Sequence, residues 1–363
     1  MPNPADLRWL NAGIQGVQAR HQERVASLYA GRPGDDVVAI AGRFFGRSHG
    51  LAGVNEIDML QQPEAWLADV LGDMARHGPE GADPVTFRPF VIEIDPWGVH
   101  FVDALLGARV FFHEGQVWSD ELQAEPAELR LPDLTQSKLL ADTIRLTHLA
   151  VAATGGQVFI TTPVLSCPIN IGMNLFGQRL LVAMLLAPDA AQQALRVITA
   201  TLQECIRVFA AAIPDPVRRG SVAENRYAPS GFGFIDGCAT QLLSAANYRD
   251  FVAELDRACL SSFPHGGMMH LCGAHAQHIP TWRTFRELRA IQINDRAAED
   301  LELYFHGLRD DQLIYISPTA TMTIERIMAI TGGNRIVLQC ELAAARSRQP
   351  RPTATEPQTP TRM

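Results

Sequence analysis

The chain has 363 residues, 47% of them apolar and 19% charged, with a formal net charge of −8. That length can bury a large core, and the acidic balance excludes a nucleic-acid binder, whose phosphate contacts need an excess of cations on one face. Of 31 Lys plus Arg only Lys138 is a lysine. It lies in Gln-Ser-Lys-Leu at the start of a surface-type helix, which excludes a phosphate loop and leaves Schiff-base chemistry this one candidate.

The first residues, Met-Pro-Asn-Pro-Ala-Asp, lead into polar, helix-like sequence rather than a charged and apolar leader. The longest apolar stretch, 180–187, stops at Pro188 and is too short to span a bilayer. Six cysteines are scattered without close pairs, unlike a small disulfide-stapled domain. The expectation is a cytoplasmic protein with reduced thiols and no membrane partner.

Strand-like apolar runs are expected at 37–40 and 90–94, followed by a hairpin of 110–112 with 117–118 across 113–116. From there the chain alternates between two periods. Short β-branched or aromatic runs occur at 158–162, 233–235, 268–271, 290–293, 313–316 and 335–338. Between them lie helical stripes such as Leu195, Ile198, Leu202, Cys205, Ile206 and Phe209, and Tyr248, Phe251, Val252, Leu255 and Cys259. Strands alternating with helices imply parallel pairing through right-handed crossovers. Eight such units predict an α/β fold, a (β/α)8 TIM barrel with extra N-terminal helices; a doubly wound open sheet is the alternative. No linker interrupts 5–345, so one domain is expected over 1–345. Residues 346–363, rich in Pro and Thr, read as a disordered tail.

In either fold the chemistry belongs at the C-terminal ends of the strands. Those ends carry Thr161 and Thr162, Asp236, His270 with Cys272, Asn294 and Asp295, Ser317, and Cys340. Residues two apart on a strand share a face, so His270 and Cys272 point together. With Cys340 they form an imidazole and two thiolates converging from different strands, a set that suits catalytic zinc with one position open to substrate. Asp295 would be a labile fourth ligand or a hydrogen-bond partner of His270. The plainer reading is that each cysteine is a small core hydrophobe. Cys205 and Cys259 follow apolar stripes and belong to the core; Cys238, two residues after Asp236, is the substitute ligand should Cys340 fail. His265, His275 and His278 read as solvated loop residues. The pairs Gly266-Gly267 and Gly332-Gly333 read as helix ends leading into strands.

From about Val158 to Cys340 the chain resembles the uroporphyrinogen decarboxylase superfamily, and particularly its zinc-dependent methyltransferase branch. The resemblance is carried by Gly233-Phe234-Ile235-Asp236, Tyr248-Arg249-Asp250-Phe251-Val252, His270-Leu271-Cys272-Gly273, Ile291-Gln292-Ile293-Asn294-Asp295 and Thr331-Gly332-Gly333 leading to Cys340; Gly98-Val99-His100-Phe101-Val102-Asp103 adds to it. It implies zinc on His270, Cys272 and Cys340, Asp236 lining the substrate pocket, and Asp295 beside the metal. It also implies methyl transfer between a corrinoid protein, or another methyl donor, and a small thiol-type acceptor. The chain departs from the decarboxylases near its N-terminus, where Ala39-Ile40-Ala41-Gly42-Arg43-Phe44 keeps only the end of their arginine-bearing stretch. Arg43, with Arg47, would still hold a carboxylated ligand, and Asn294 faces the cofactor from a strand end. The alternatives are a metal-free tetrapyrrole decarboxylase using Asp236, and a non-catalytic relative that binds a tetrapyrrole or corrinoid.

Overall fold

Several helices begin where a side chain satisfies the first backbone donors. Asn11 Oδ1 accepts from Gly13 and Ile14 at 3.0 and 3.1 Å to open Ala12–Tyr29. Ser137 caps Lys138–Thr154, which ends on the left-handed Gly155. Thr323 caps Ile324–Thr331, which ends on the left-handed Gly332, as the glycine pair implied. The computed structural model describes residues 7–32, 37–42, 45–46, 58–219 and 226–342. The expected tail at 346–363 and the candidate Arg43 lie outside the described residues, as does Arg47.

The strands are β1 (Val38–Ala39), β2 (Val91–Ile92), β3 (Val110–His113), β4 (Gln116–Ser119), β5 (Phe159–Thr161), β6 (Arg218–Arg219), β7 (Gly233–Asp236), β8 (Gly267–Leu271), β9 (Leu288–Ile293), β10 (Leu313–Ile316) and β11 (Ile336–Leu338). A six-stranded parallel sheet runs β1-β11-β10-β9-β8-β7, and a three-stranded parallel sheet runs β2-β5-β6. Single parallel bridges join the two sheets, Ile40 to Phe87 and Phe45 to Ile92 at one seam and Ser166 to Asp236 at the other. The expected hairpin β3–β4 is antiparallel and turns through Glu114 and Gly115, both at positive φ.

The fold is thus α/β with parallel sheets and many helices, but the ladders among the described residues do not close into the one eight-stranded barrel expected from the sequence. Short strands are the reason: β1, β2 and β6 have two residues each, too few to carry a continuous ladder past the seams. β6 was not anticipated, because Arg218-Arg219 carries no apolar run.

Alternation sorts the strands' side chains into two layers. Val38, Val91, Phe234, Met268, Ala290, Leu313, Tyr315 and Val337 share one buried cluster with Phe159 packed against it, so both sheets face a common core. The alternate residues, Ala39, Ile235, Met269, Leu271, Ile291, Ile293, Ile314, Ile316 and Leu338, turn outward and pack with helices such as Pro188–Ala212. That helix buries Leu195, Ile198, Leu202, Cys205 and Phe209, the periodic stripe read from the sequence. Among the described residues no single helix is long and apolar enough to cross a membrane; the apolar run at 180–187 falls mainly in Gln178–Leu186, which joins Pro168–Phe176 at a bend of 107°.

Candidate metal centre

Asp236, His270, Gln292 and Gln339 each stand two residues beyond a member of the shared core, namely Phe234, Met268, Ala290 and Val337. They form the next layer toward the C-terminal ends of the strands, and all four are buried. Register fixes their adjacency: Asp236 pairs with His270, and His270 with Gln292.

Three soft ligands meet here. One ligand atom each from Cys238, His270 and Cys272 lie within 4.8 Å of one another. Cys272 continues the strand face of His270, as the sequence indicated. Cys238 opens a short 3-10 turn, Cys238–Leu242, held where Gly237 N donates to His270 O at 2.8 Å and Ala239 N to Asn170 Oδ1 at 2.7 Å. The expected third ligand, Cys340, is not in this group; it stands half-buried just past β11, where burial and the adjacent Glu341 push its thiol up to about 11. The two clustered cysteines are differentiated. Cys272 is held toward the thiolate chiefly by the hydrogen bond from Cys238, while the same contact, with burial and Asp236, keeps the proton on Cys238.

His270 Nδ1 shares a hydrogen bond with Gln292 Oε1. Gln292 Nε2 donates in turn to Asn294 Oδ1 at 2.6 Å and to Gln339 Oε1 at 2.8 Å. Asn294 therefore supports the histidine's partner. Asp295 is exposed, begins the short helix Asp295–Glu299 at a φ of 47°, and lies close enough for its charge to oppose the Cys272 thiolate.

Beside the cluster is a cavity of about 380 Å³ lined by Val99, Val164, Met173, Ser166, Asn170, Asn174, Arg226, Asp236, Cys238, Ala239 and His270. Asp236 lines it as expected, in a buried ion pair with Arg226 at 3.5 Å. The sequence reading did not single out Arg226, Cys238's primacy, or Gln292 and Gln339. A signal existed for the two glutamines: a polar residue at an inward position of an otherwise apolar strand must find a hydrogen-bonding partner there.

The flanking histidines correct an expectation. His275 and His278 are not solvated but fully buried. His275 places Nδ1 2.9 Å from Thr240 Oγ1 and accepts from Gly273 N at Nε2, and desolvation with the neighbouring histidines drops its pKa to about 3. His278 Nε2 contacts Thr240 O at 2.8 Å, and burial lowers its pKa too. A loop that folds back over the 238–242 turn has buried what its sequence made look exposed. Cys205 and Cys259 are core residues as read, and Cys167, also buried, donates to Asn170 Oδ1 at 3.3 Å.

The donor set suits zinc. One imidazole nitrogen and two sulfurs are borderline-soft ligands, and separations under 4.8 Å approach the roughly 3.5 Å that tetrahedral bonds of about 2.0–2.3 Å require. Three protein ligands would leave a fourth position for a substrate, and neither nitrogen of His275 is free to compete.

The class this architecture defines is an α/β protein of parallel strands with a soft-ligand cluster at their C-terminal ends. Its sequence matches no family model and no curated protein. Its fold, however, is shared with a methyltransferase from Methanosarcina mazei: TM-score 0.59 and 13% identity over 88% of this chain and 92% of that one. A solved structure described as a putative lyase/mutase from Burkholderia cenocepacia J2315 aligns over 91% of this chain and 85% of its own at 12% identity, with a TM-score of only 0.35.

Proposed function

We propose that the protein is a zinc-dependent methyltransferase on a barrel of parallel strands, moving a methyl group between a corrinoid protein, or another methyl donor, and a small thiol-type acceptor. The observation that carries this reading is the Cys238–His270–Cys272 cluster opening on a cavity sized for a small molecule. The fold shared with a methanogen methyltransferase agrees with it.

In this reading Cys238, His270 and Cys272 hold the ion. Bound there, zinc would supply a Lewis acid that lowers the pKa of an acceptor sulfur and keeps it a thiolate at neutral pH. The chain's own residues do the remainder. Gln292 orients the His270 ring. Asp236 and Arg226, paired at the cavity edge, present one buried anion and one buried cation to the substrate without net charge. Val99, Val164 and Met173 line the cavity with apolar surface that disfavours water. Asp295, exposed beside Cys272, biases the site against additional anions. Asn294 acts through Gln292 rather than on a cofactor directly. Arg43 remains the proposed holder of a carboxylated ligand.

The test uses protein purified without added metal. Zinc content should approach one per chain, and such protein should transfer methyl from methylcobalamin to 2-mercaptoethanol, read as loss of the cobalt–methyl absorbance. Zinc-free protein that binds a tetrapyrrole and decarboxylates it would overturn the proposal.

A further inference from the structure

We infer that Gln292 is a positioning residue that decides which nitrogen of His270 faces the cavity, through a relay of side-chain amides running from β8 across β9 to the segment after β11. The purpose assigned to it rests on the metal reading above; its geometry does not.

Gln292 is completely buried at the penultimate position of β9. Its amide has two hydrogens, and both are placed on oxygens, one on Asn294 Oδ1 and one on Gln339 Oε1. Turned over, the amide would set its own oxygen against those two oxygens, so reversing it requires both neighbouring amides to turn as well. In the structure the three amides agree, and Gln292 Oε1 is set toward His270. A carbonyl oxygen only accepts, so Nδ1 of His270 must carry the proton in this contact. Nε2 is then left with its lone pair, the state a metal ligand needs. Ser317 Oγ reaches the same Gln339 oxygen at 3.5 Å and ties the relay to the end of β10.

The choice of an amide has a chemical consequence. Histidine ligands are often oriented by carboxylates, which add negative charge and make the ring a stronger donor. Here orientation is achieved by a neutral group. Two thiolates, a neutral imidazole and Zn2+ sum to zero, so an acceptor thiolate approaches an uncharged centre rather than an anionic one. His275 shows the opposite arrangement five residues along: both its nitrogens are engaged within the fold.

The experiment uses the full chain labelled with 15N-histidine, first free of metal and then titrated with zinc against a chelator. Long-range 1H–15N spectra should show His270 as the Nδ1–H tautomer in the wild type. In Gln292→Leu that preference should be lost and zinc affinity should fall about 10–100-fold. Gln292→Glu, whose carboxylate accepts the same proton once Asn294 and Gln339 turn to donate, should keep the tautomer and recover most of the affinity. Gln339→Ala, with one anchor removed, gives a milder variant should the leucine variant fail to fold by circular dichroism. An Nε2–H tautomer in the wild type overturns the inference. So does a Gln292→Leu protein with unchanged tautomer and affinity, or a glutamate variant as weak as the leucine one. A wild type that shows Nδ1–H yet binds no zinc supports the relay and overturns the metal reading, so the two failures are distinct.

Discussion

The parallel strands end in a cavity at each side, and the larger is the poorer candidate. At the N-terminal ends Leu28, Gly31, Phe305, His306, Asp310, Leu313, Asn334 and Arg335 enclose about 490 Å³. At the C-terminal ends the space is about 380 Å³. What differs is how the polar groups are used. Arg335 is consumed by the fold: its guanidinium donates to the carbonyls of Arg309 at 2.6 Å, Gln312 at 3.4 Å, and Phe305. At the other end two cysteines and a histidine converge on one another, with an amide relay behind them. Volume locates space, and only the chemistry of the lining locates a site.

Cys272 separates the two ends most sharply. Cys272→Ala should leave a folded protein without stoichiometric zinc, the loss exceeding the about 10–100-fold that accompanies removal of a ligand's hydrogen-bond partner. Metal analysis beside a melting curve checks it, and zinc retained in full would end the distinction between the two ends.

Asp256, buried on the helix Ala253–Ser261 away from both cavity linings, tests a purely structural buried acid. It accepts from Tyr248 Oη at 2.8 Å, which in turn accepts from Trp282 Nε1 at 2.8 Å, and burial raises the Asp256 carboxyl to about 7 from 3.8. Folded protein therefore keeps a proton that the unfolded chain has lost between about pH 4 and pH 7. Stability from this group is full below that window and declines through it by about 1.4 kcal/mol per pH unit. Asp256→Asn should then be stabilised, relative to wild type, at pH 8 compared with pH 5, and equal differences in melting temperature at both pH values would contradict this.

At the N-terminal cavity the effects should be structural only. Arg335→Leu strands carbonyl groups and should cost about 1–3 kcal/mol in urea denaturation while leaving zinc content unchanged. His306→Ala, an exposed change, should stay within about 0.5 kcal/mol and alter neither zinc content nor turnover. A loss of turnover in either variant, beyond its loss of stability, would move function to the wrong end.

Much of this was legible in sequence, and the gaps have physical causes. β7 through β11 could be read to within two residues because they are continuous apolar runs between amphipathic helices. β6 could not, because two arginines carry no periodicity. The runs at 37–40, 90–94 and 158–162 were legible as strands, but their ladders of only two or three residues depend on tertiary partners rather than local pattern. His270 and Cys272 were legible because strand alternation alone puts them on one face. Cys238 displaced Cys340 as the third member of the cluster because a 3-10 turn, set by Gly237 and Asn170, folds it back toward His270, and no local spacing announces that. His275 and His278 were misread for a related reason: loop residues can be buried by another loop. Asp295 was expected as a fourth ligand or a partner of His270; the histidine's partner is Gln292 instead, and Asp295 is exposed beside Cys272 on a left-handed backbone that no local pattern signals.

The proposed zinc centre is built on Cys238, His270 and Cys272. Crystals of the protein purified without added metal, measured on both sides of the zinc absorption edge, test it most directly. The account predicts one anomalous peak bonded to His270 Nε2 and to the Sγ atoms of Cys238 and Cys272, with its fourth position toward the cavity. No peak at that corner, or a peak bonded to Cys340 in place of Cys238, would contradict it.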